Sequence, residues 1–196
     1  MSGKYRTVSD RATASFEQQG STFLGHVAPV DDVEEAESFI DTIRSAYADA
    51  THNVPAYRVP AGSPTAQPLG GDRMLREYAT DDGEPGGSAG KPALTVLKRR
   101  ELQNVVVVVT RYYGGTNLGV GGLSRAYARA VTQAIEEAGV ITSRVHQQLA
   151  VCTEYDDSGT VRAVLESEKV SFEATYDAAV RFDLRVPVAD VETVVE

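Results

Sequence analysis

Cysteine is almost missing from this chain. Cys152 stands alone among 196 residues, which excludes an internal disulfide and a thiolate-based zinc site and points to a reducing compartment. Histidine is scarce as well, at three residues, so a transition-metal centre has little to be built from. No metal and no cofactor is expected. Long apolar runs are also lacking: none is long enough to span a bilayer and none near the N-terminus resembles a signal peptide. A cytoplasmic protein without membrane contact is the expectation. Lysine occurs only at Lys4, Lys91, Lys98 and Lys169, arginine carrying the remaining positive charge. A salt-rich cytoplasm favours such a surface, and so does a GC-rich genome. With 28 acidic residues against 19 basic ones the formal net charge is -9, which opposes tight nonspecific binding to nucleic acid because counterion release needs a cationic surplus. A local basic patch is still compatible with it.

What the chain does have is concentrated between Val105 and Ala138. Val105–Val109 is an unbroken β-branched run, apolar on both sides of the pleat, and predicts a central strand buried on both faces. Leu123, Ala126, Tyr127, Ala130, Val131, Ala134, Ile135 and Ala138 recur at helical spacing, and Gly139 follows where a left-handed residue closes a helix. Between strand and helix, residues 111–122 pack glycine around Arg111, Tyr112, Tyr113, Thr116 and Asn117. That is more backbone freedom than a connection needs.

Residues 1–20 are polar without clear periodicity and read as an arm or edge strand. A strand is predicted over Thr22–Pro29. Asp32 with Glu35 forms a capping box for a helix carrying Ala36, Phe39, Ile40, Ile43, Tyr47 and Ala50 on one face. A short strand follows at 52–60, a surface loop at 61–71, and another short strand at 73–80. The stretch Asp81-Asp-Gly-Glu-Pro-Gly-Gly-Ser-Ala-Gly-Lys-Pro is too rich in glycine and proline for regular structure. It leads into a helix with Pro92 at the first position, ending at Arg99 or Arg100. After Gly139 the pattern restarts: a strand at 147–154, a helix at 158–167, strands at 169–176 and 178–186, and a helix begun by Val188, Val191, Val194 and Val195. That order suggests a split β-α-β domain, and its last helix stops with the sequence, so the domain is expected to be short of a final strand.

Three groups of residues carry chemistry. The glycine-rich loop 111–122 opens a helix, and such an N-terminus suits phosphate or another anion, with Arg111 and Arg125 adding charge; equally, its glycines can serve close packing of helix on sheet. The spacing matches neither the dinucleotide fingerprint nor the P-loop. Asp81, Asp82 and Glu84 are candidates for a hard cation or for acid/base work, or for accepting backbone N–H groups in a tight turn. Gly86-Gly-Ser-Ala-Gly has the letters of a nucleophile elbow, yet no apolar strand precedes it, and Ser88 is expected to cap the following helix. His52, with Tyr57 and Arg58, is placed on the surface beside these loops. Two functions compete: a binding face, with Lys91 and Arg111 meeting phosphate or acidic groups and tyrosines stacking, or an enzyme acting on a small phosphorylated or peptide-like substrate between the two loops. In the enzyme, Asp82, Glu84 or His52 would be the acid/base and Lys91 and Arg111 the anion clamps. A purely structural role for both loops is the third option.

The long motif at 81–92 and Arg111-Tyr-Tyr-Gly-Gly-Thr-Asn-Leu-Gly-Val-Gly-Gly-Leu-Ser-Arg-Ala-Tyr closely resemble the signature of the IMPACT/YigZ family. Ser21-Thr-Phe-Leu-Gly and Ala50-Thr-His-Asn-Val-Pro-Ala-Tyr resemble its weaker, earlier motifs. The resemblance implies a two-domain α+β protein. Residues 21–140 would form an α/β two-layer domain like domain IV of elongation factor G and ribonuclease PH, and 145–196 a ferredoxin-like split β-α-β domain, incomplete at its end. It further implies non-enzymatic regulation of translation. Eukaryotic members restrain, during starvation, the kinase that phosphorylates initiation factor two, using an additional N-terminal domain that these residues do not include; for prokaryotic members RNA or ribosome association is inferred from the fold. RNA, ribosomes or translation-factor proteins are therefore the expected partners. By match to the motifs, the binding surface would comprise His52, Tyr57, Asp81, Asp82, Gly83, Glu84, Pro85, Gly90, Lys91 and Pro92, together with Arg111, Tyr112, Tyr113, Gly114, Gly115, Leu118, Gly119, Gly121 and Gly122.

Overall fold

The computed structural model describes residues 3–61 and 74–191. They divide into two units, one holding residues 5–61 and 74–143 and the other residues 3–4 and 144–191. In the larger unit the predicted run becomes β6 (Val105–Tyr112), the middle strand of a five-stranded sheet. Its neighbours are β3 (Ser21–Pro29) and β4 (His52–Pro60), both antiparallel to it. The edges are β2 (Ala12–Gln18), on β3, and β5 (Leu75–Ala79), on β4. A strand whose side chains are apolar in both directions needs cover on both faces, and β6 has it. Val105, Val107 and Val109 pack into one core with α2 (Gly90–Arg99) and α3 (Gly119–Ala138). Val106 and Val108 pack into a second core under α1 (Val33–Ala46). The α+β organisation expected from the sequence is present, and α1 adds a third layer to the two expected in this unit.

The capping box holds: Glu35 N–H donates to Asp32 Oδ1 at 2.9 Å while the Glu35 carboxylate accepts from Asp31 N–H at 2.8 Å. The helix is shorter than its apolar spacing suggests. Tyr47 is its C-cap, and Ala50 lies beyond it in the turn before β4. On the other face α3 lies directly on β3 because Gly25 has no side chain; a Cβ there would overlap the Ala130 carbonyl.

Residues 1–20, expected to be an arm or edge strand, supply two strands, of which β2 is an edge of the five-stranded sheet. β1 (Lys4–Val8) pairs with β7 (Val140–Arg144) in a two-stranded ribbon. The alternation in β2 is real, but its inward positions are mostly small alanines that turn half-buried sides to the core, a weak hydrophobic signal.

The smaller unit has β8 (His146–Thr153), α4 (Tyr155–Ser167), β9 (Ser171–Tyr176) and β10 (Val180–Pro187) in the order β8-β10-β9, all antiparallel. Val180, Phe182, Leu184 and Val186 alternate inward and meet Leu165 of α4 and Val191. The last helix begins as a 3-10 turn at Val188–Asp190; its expected continuation through Val194 and Val195, like most of the 61–71 loop and Arg73, lies outside the described residues. No described helix is long and apolar enough to cross a membrane.

Candidate functional site

The two glycine-rich loops meet at one end of the larger sheet, joined by a buried ion pair. Arg111 Nη1 lies 2.6 Å from Glu84 Oε1, both side chains being buried. The same carboxylate oxygen accepts from the Tyr127 hydroxyl of α3 at 2.7 Å. Burial, and then the bond to Glu84, push the Tyr127 hydroxyl well above its ordinary pKa, so it stays a donor. His52 is opposite Arg111 in the β4–β6 register and brings Nε2 to 3.9 Å from Glu84 Oε1. Its Nδ1 is 2.7 Å from the Asp82 carbonyl.

The remaining carboxylates are also engaged. Asp82 sits at a positive φ of 48°, a conformation that Asp tolerates better than most residues, and is held there by Asn53 N–H at 2.8 Å and Arg44 Nη2 at 3.4 Å. Asp81 accepts from the N–H groups of Gly87, Ala89 and Gly90 at 2.7, 3.0 and 2.9 Å. Burial opposes its charge, but these three backbone bonds prevail and hold the carboxyl below the usual aspartate range. Asp81 therefore caps α2 from nine residues upstream. The helix begins at Gly90, so Pro92 is its third residue, and Ser88, expected as the cap, has a buried hydroxyl without a hydrogen-bond partner. Local spacing favoured Ser88; the loop fold brings Asp81 instead. Asp81→Ala is expected to lower stability by about 1–2 kcal/mol, as loss of an N-cap does, read as a lower midpoint in urea with an unchanged slope.

Arg111 is corrected as well. Rather than facing a ligand, its guanidinium is 4% exposed and lies between the rings of Phe23 and Tyr113, 5.4 and 5.3 Å from their centroids. Its Nη2 donates to Ser21 Oγ at 3.3 Å. Tyr57 leaves the candidate face altogether: five residues from His52, it points to the opposite side of the sheet and is buried under α1, stacked on Tyr78. Tyr112 also points away from Tyr113 and bonds Asp49 at 2.9 Å. Leu118 packs against the core as the residue before α3, and buried Gly122 lies against it. Gly90 is buried, and a Cβ there would overlap the Thr80 backbone. Gly83, Pro85, Lys91, Gly115, Gly119 and Gly121 are exposed.

The glycines of the second loop do different jobs. Gly114 lies so close to the Gly20–Ser21 turn that a Cβ would overlap the Gly20 carbonyl, and its N–H donates to Ser21 Oγ at 3.1 Å. Gly114→Ala is expected to cost about 1–3 kcal/mol by overpacking, seen as a lower thermal midpoint. Gly115 and Gly119, by contrast, have open space around them. The expected binding surface left out Thr51, Asn53 and Asn117. Thr51 Oγ1 accepts from Tyr113 N–H at 2.9 Å, Asn53 binds Asp82, and Asn117 Oδ1 accepts from the Tyr113 hydroxyl at 3.1 Å. The signal for Asn117 was its place four residues after Tyr113; the other two are joined to their partners only by folding. No group of His, Cys, Asp and Glu suited to a metal occurs among the described residues.

These features define a two-unit α+β protein whose larger unit locks two glycine-rich loops together through a buried Arg–Glu–Tyr cluster. The model of the Impact N-terminal domain matches residues 19–135. The chain is 34% identical over 183 residues to IMPACT family member YvyE of Bacillus subtilis (strain 168), covering 93% of this chain and 79% of that protein. It is 34% identical over 173 residues to IMPACT family member YigZ of Escherichia coli (strain K12), covering 87% and 80%. A crystal structure of a hypothetical protein superposes with a TM-score of 0.73 at 30% identity, covering 99% of this chain and 90% of that one. The chain belongs to the IMPACT family.

Proposed function

We propose that this protein is a non-enzymatic regulator of the translation apparatus, binding ribosomes or their RNA through the outer side of the two loops. The observation that carries this reading is that the loop carboxylates are used to hold the two loops in place. Glu84 Oε1 accepts from Arg111 and Tyr127, Asp81 from three backbone N–H groups, and Asp82 from Asn53 N–H and Arg44. A binding face gains from loops that are already ordered.

Positive charge remains outside. Lys91 lies exposed in the first turn of α2, and exposed Arg125 carries its Nη1 to 3.5 Å from the position of a Gly121 Cβ, in the first turn of α3. These cations replace Arg111 as the groups to meet phosphate, a local basic contact on an acidic protein. The reading is tested by sedimenting wild type and a Lys91→Glu, Arg125→Glu double variant through sucrose gradients with ribosomal subunits from the source cells, at their native salt. Wild type is expected to travel with a subunit and the variant to stay at the top. Wild type remaining at the top in all fractions overturns the proposal.

A further inference from the structure

Five side chains beside the loops form a continuous stack. Phe16 and Phe23, directly opposite each other on β2 and β3, are parallel to within 9° at 5.3 Å between centroids. Arg111 lies on the far side of Phe23, and Tyr113 lies on Arg111. Arg129 of α3 closes the other end, 4.1 Å above the Phe16 ring. The stack thus runs through the core and ends in solvent at Tyr113, a residue 44% exposed. The residue is held at three points: its backbone N–H on Thr51, its hydroxyl on Asn117, and one ring face on a guanidinium that is itself held by Glu84 and Ser21.

We infer that Tyr113 is a stacking platform for one unpaired base of single-stranded RNA. This rests on the binding reading above and names its ligand. An exposed tyrosine usually pays rotamer entropy when it is immobilised on binding; here the folded core has already immobilised it. The guanidinium beneath occupies one face and draws on the ring's negative quadrupole. A second cation, such as a lysine of a basic peptide, is therefore disfavoured on the outer face, while a neutral planar base is not. The tyrosine hydroxyl reaches Asn117, which precedes the first turn of α3.

The test is fluorescence anisotropy with a labelled oligoadenylate hexamer and with a twelve-base-pair RNA duplex as control. Wild type is expected to bind the hexamer and to prefer it over the duplex. Tyr113→Ala should weaken hexamer binding about tenfold, in line with the loss of one stacked base, and Tyr113→Phe, which keeps the ring but gives up the bond to Asn117, should fall between wild type and Tyr113→Ala. Because the chain contains no tryptophan, Tyr113→Trp adds a single reporter whose emission the hexamer should quench. Equal hexamer binding by wild type and Tyr113→Ala, no binding by wild type, or an unquenched tryptophan overturns the inference. Ribosomal co-sedimentation that Tyr113→Ala leaves intact would overturn it while the proposed function stood.

Discussion

Glu84→Ala is expected to lower stability by about 3–5 kcal/mol, the usual cost of stripping a buried ion of its partner. The Arg111 guanidinium, 4% exposed, would keep its charge with only Ser21 and two aromatic faces around it, and the buried Tyr127 hydroxyl would lose its acceptor. In a unit of this size each kcal/mol moves the thermal midpoint by about 2–4 °C. A drop of roughly 6–20 °C in the melt is therefore the expected reading. The double variant Glu84→Ala, Arg111→Met should recover much of the loss, because a buried pair exchanged for apolar side chains is often close to neutral. If Glu84→Ala melts as wild type does, the ion pair is not what joins the loops.

The second large effect is a dependence on pH. His26 of β3 is buried between Thr13 and Thr110, on the α1 side of the sheet, with the Tyr47 ring 4.9 Å away. Thr110 donates to Asn53 Oδ1 at 2.7 Å, so it accepts from His26 Nε2–H, and Nδ1 is left to accept from Thr13. Burial lowers the pKa of His26 from 6.5 to about 4. In the unfolded chain the imidazole binds a proton on falling below about pH 6.5, and in the folded protein it does not until about pH 4. Stability should therefore be complete above about pH 6.5 and decline as the pH falls toward 4, by about 3 kcal/mol when titration is complete. Asp81 and Glu77, whose folded-state values are also lowered, add to the decline only further into acid. Urea unfolding of wild type and His26→Gln between pH 7 and 5 separates the contributions: wild type should slope and the variant should be flat.

How far the sequence speaks depends on the distance over which each interaction acts. The Val105–Val109 run, the apolar face of α3 and the Asp32–Glu35 box are local or periodic, and all were legible. The three-layer build of the larger unit is implicit in a strand apolar on both sides. The Thr13–His26–Thr110–Asn53 chain was not legible, since it joins four strands whose neighbours only the sheet order decides. Arg111 was misjudged for the same reason. Its sequence neighbours are tyrosines and glycines, while Glu84 lies 27 residues away and only the folded loops bring it near. Parity decided His52 and Tyr57: an odd separation along β4 sends them to opposite faces of the sheet.

The central claim is that two pre-ordered loops present one outward face to the translation apparatus. Amide hydrogen exchange of the protein, alone and with ribosomal subunits from the source cells, tests it most directly. The account predicts added protection at residues 113–122 and at Gly86 and Lys91, with the Gly87, Ala89 and Gly90 amides already bonded to Asp81 slow in both states. Protection confined to residues 146–187, or no change on adding the subunits, would contradict it.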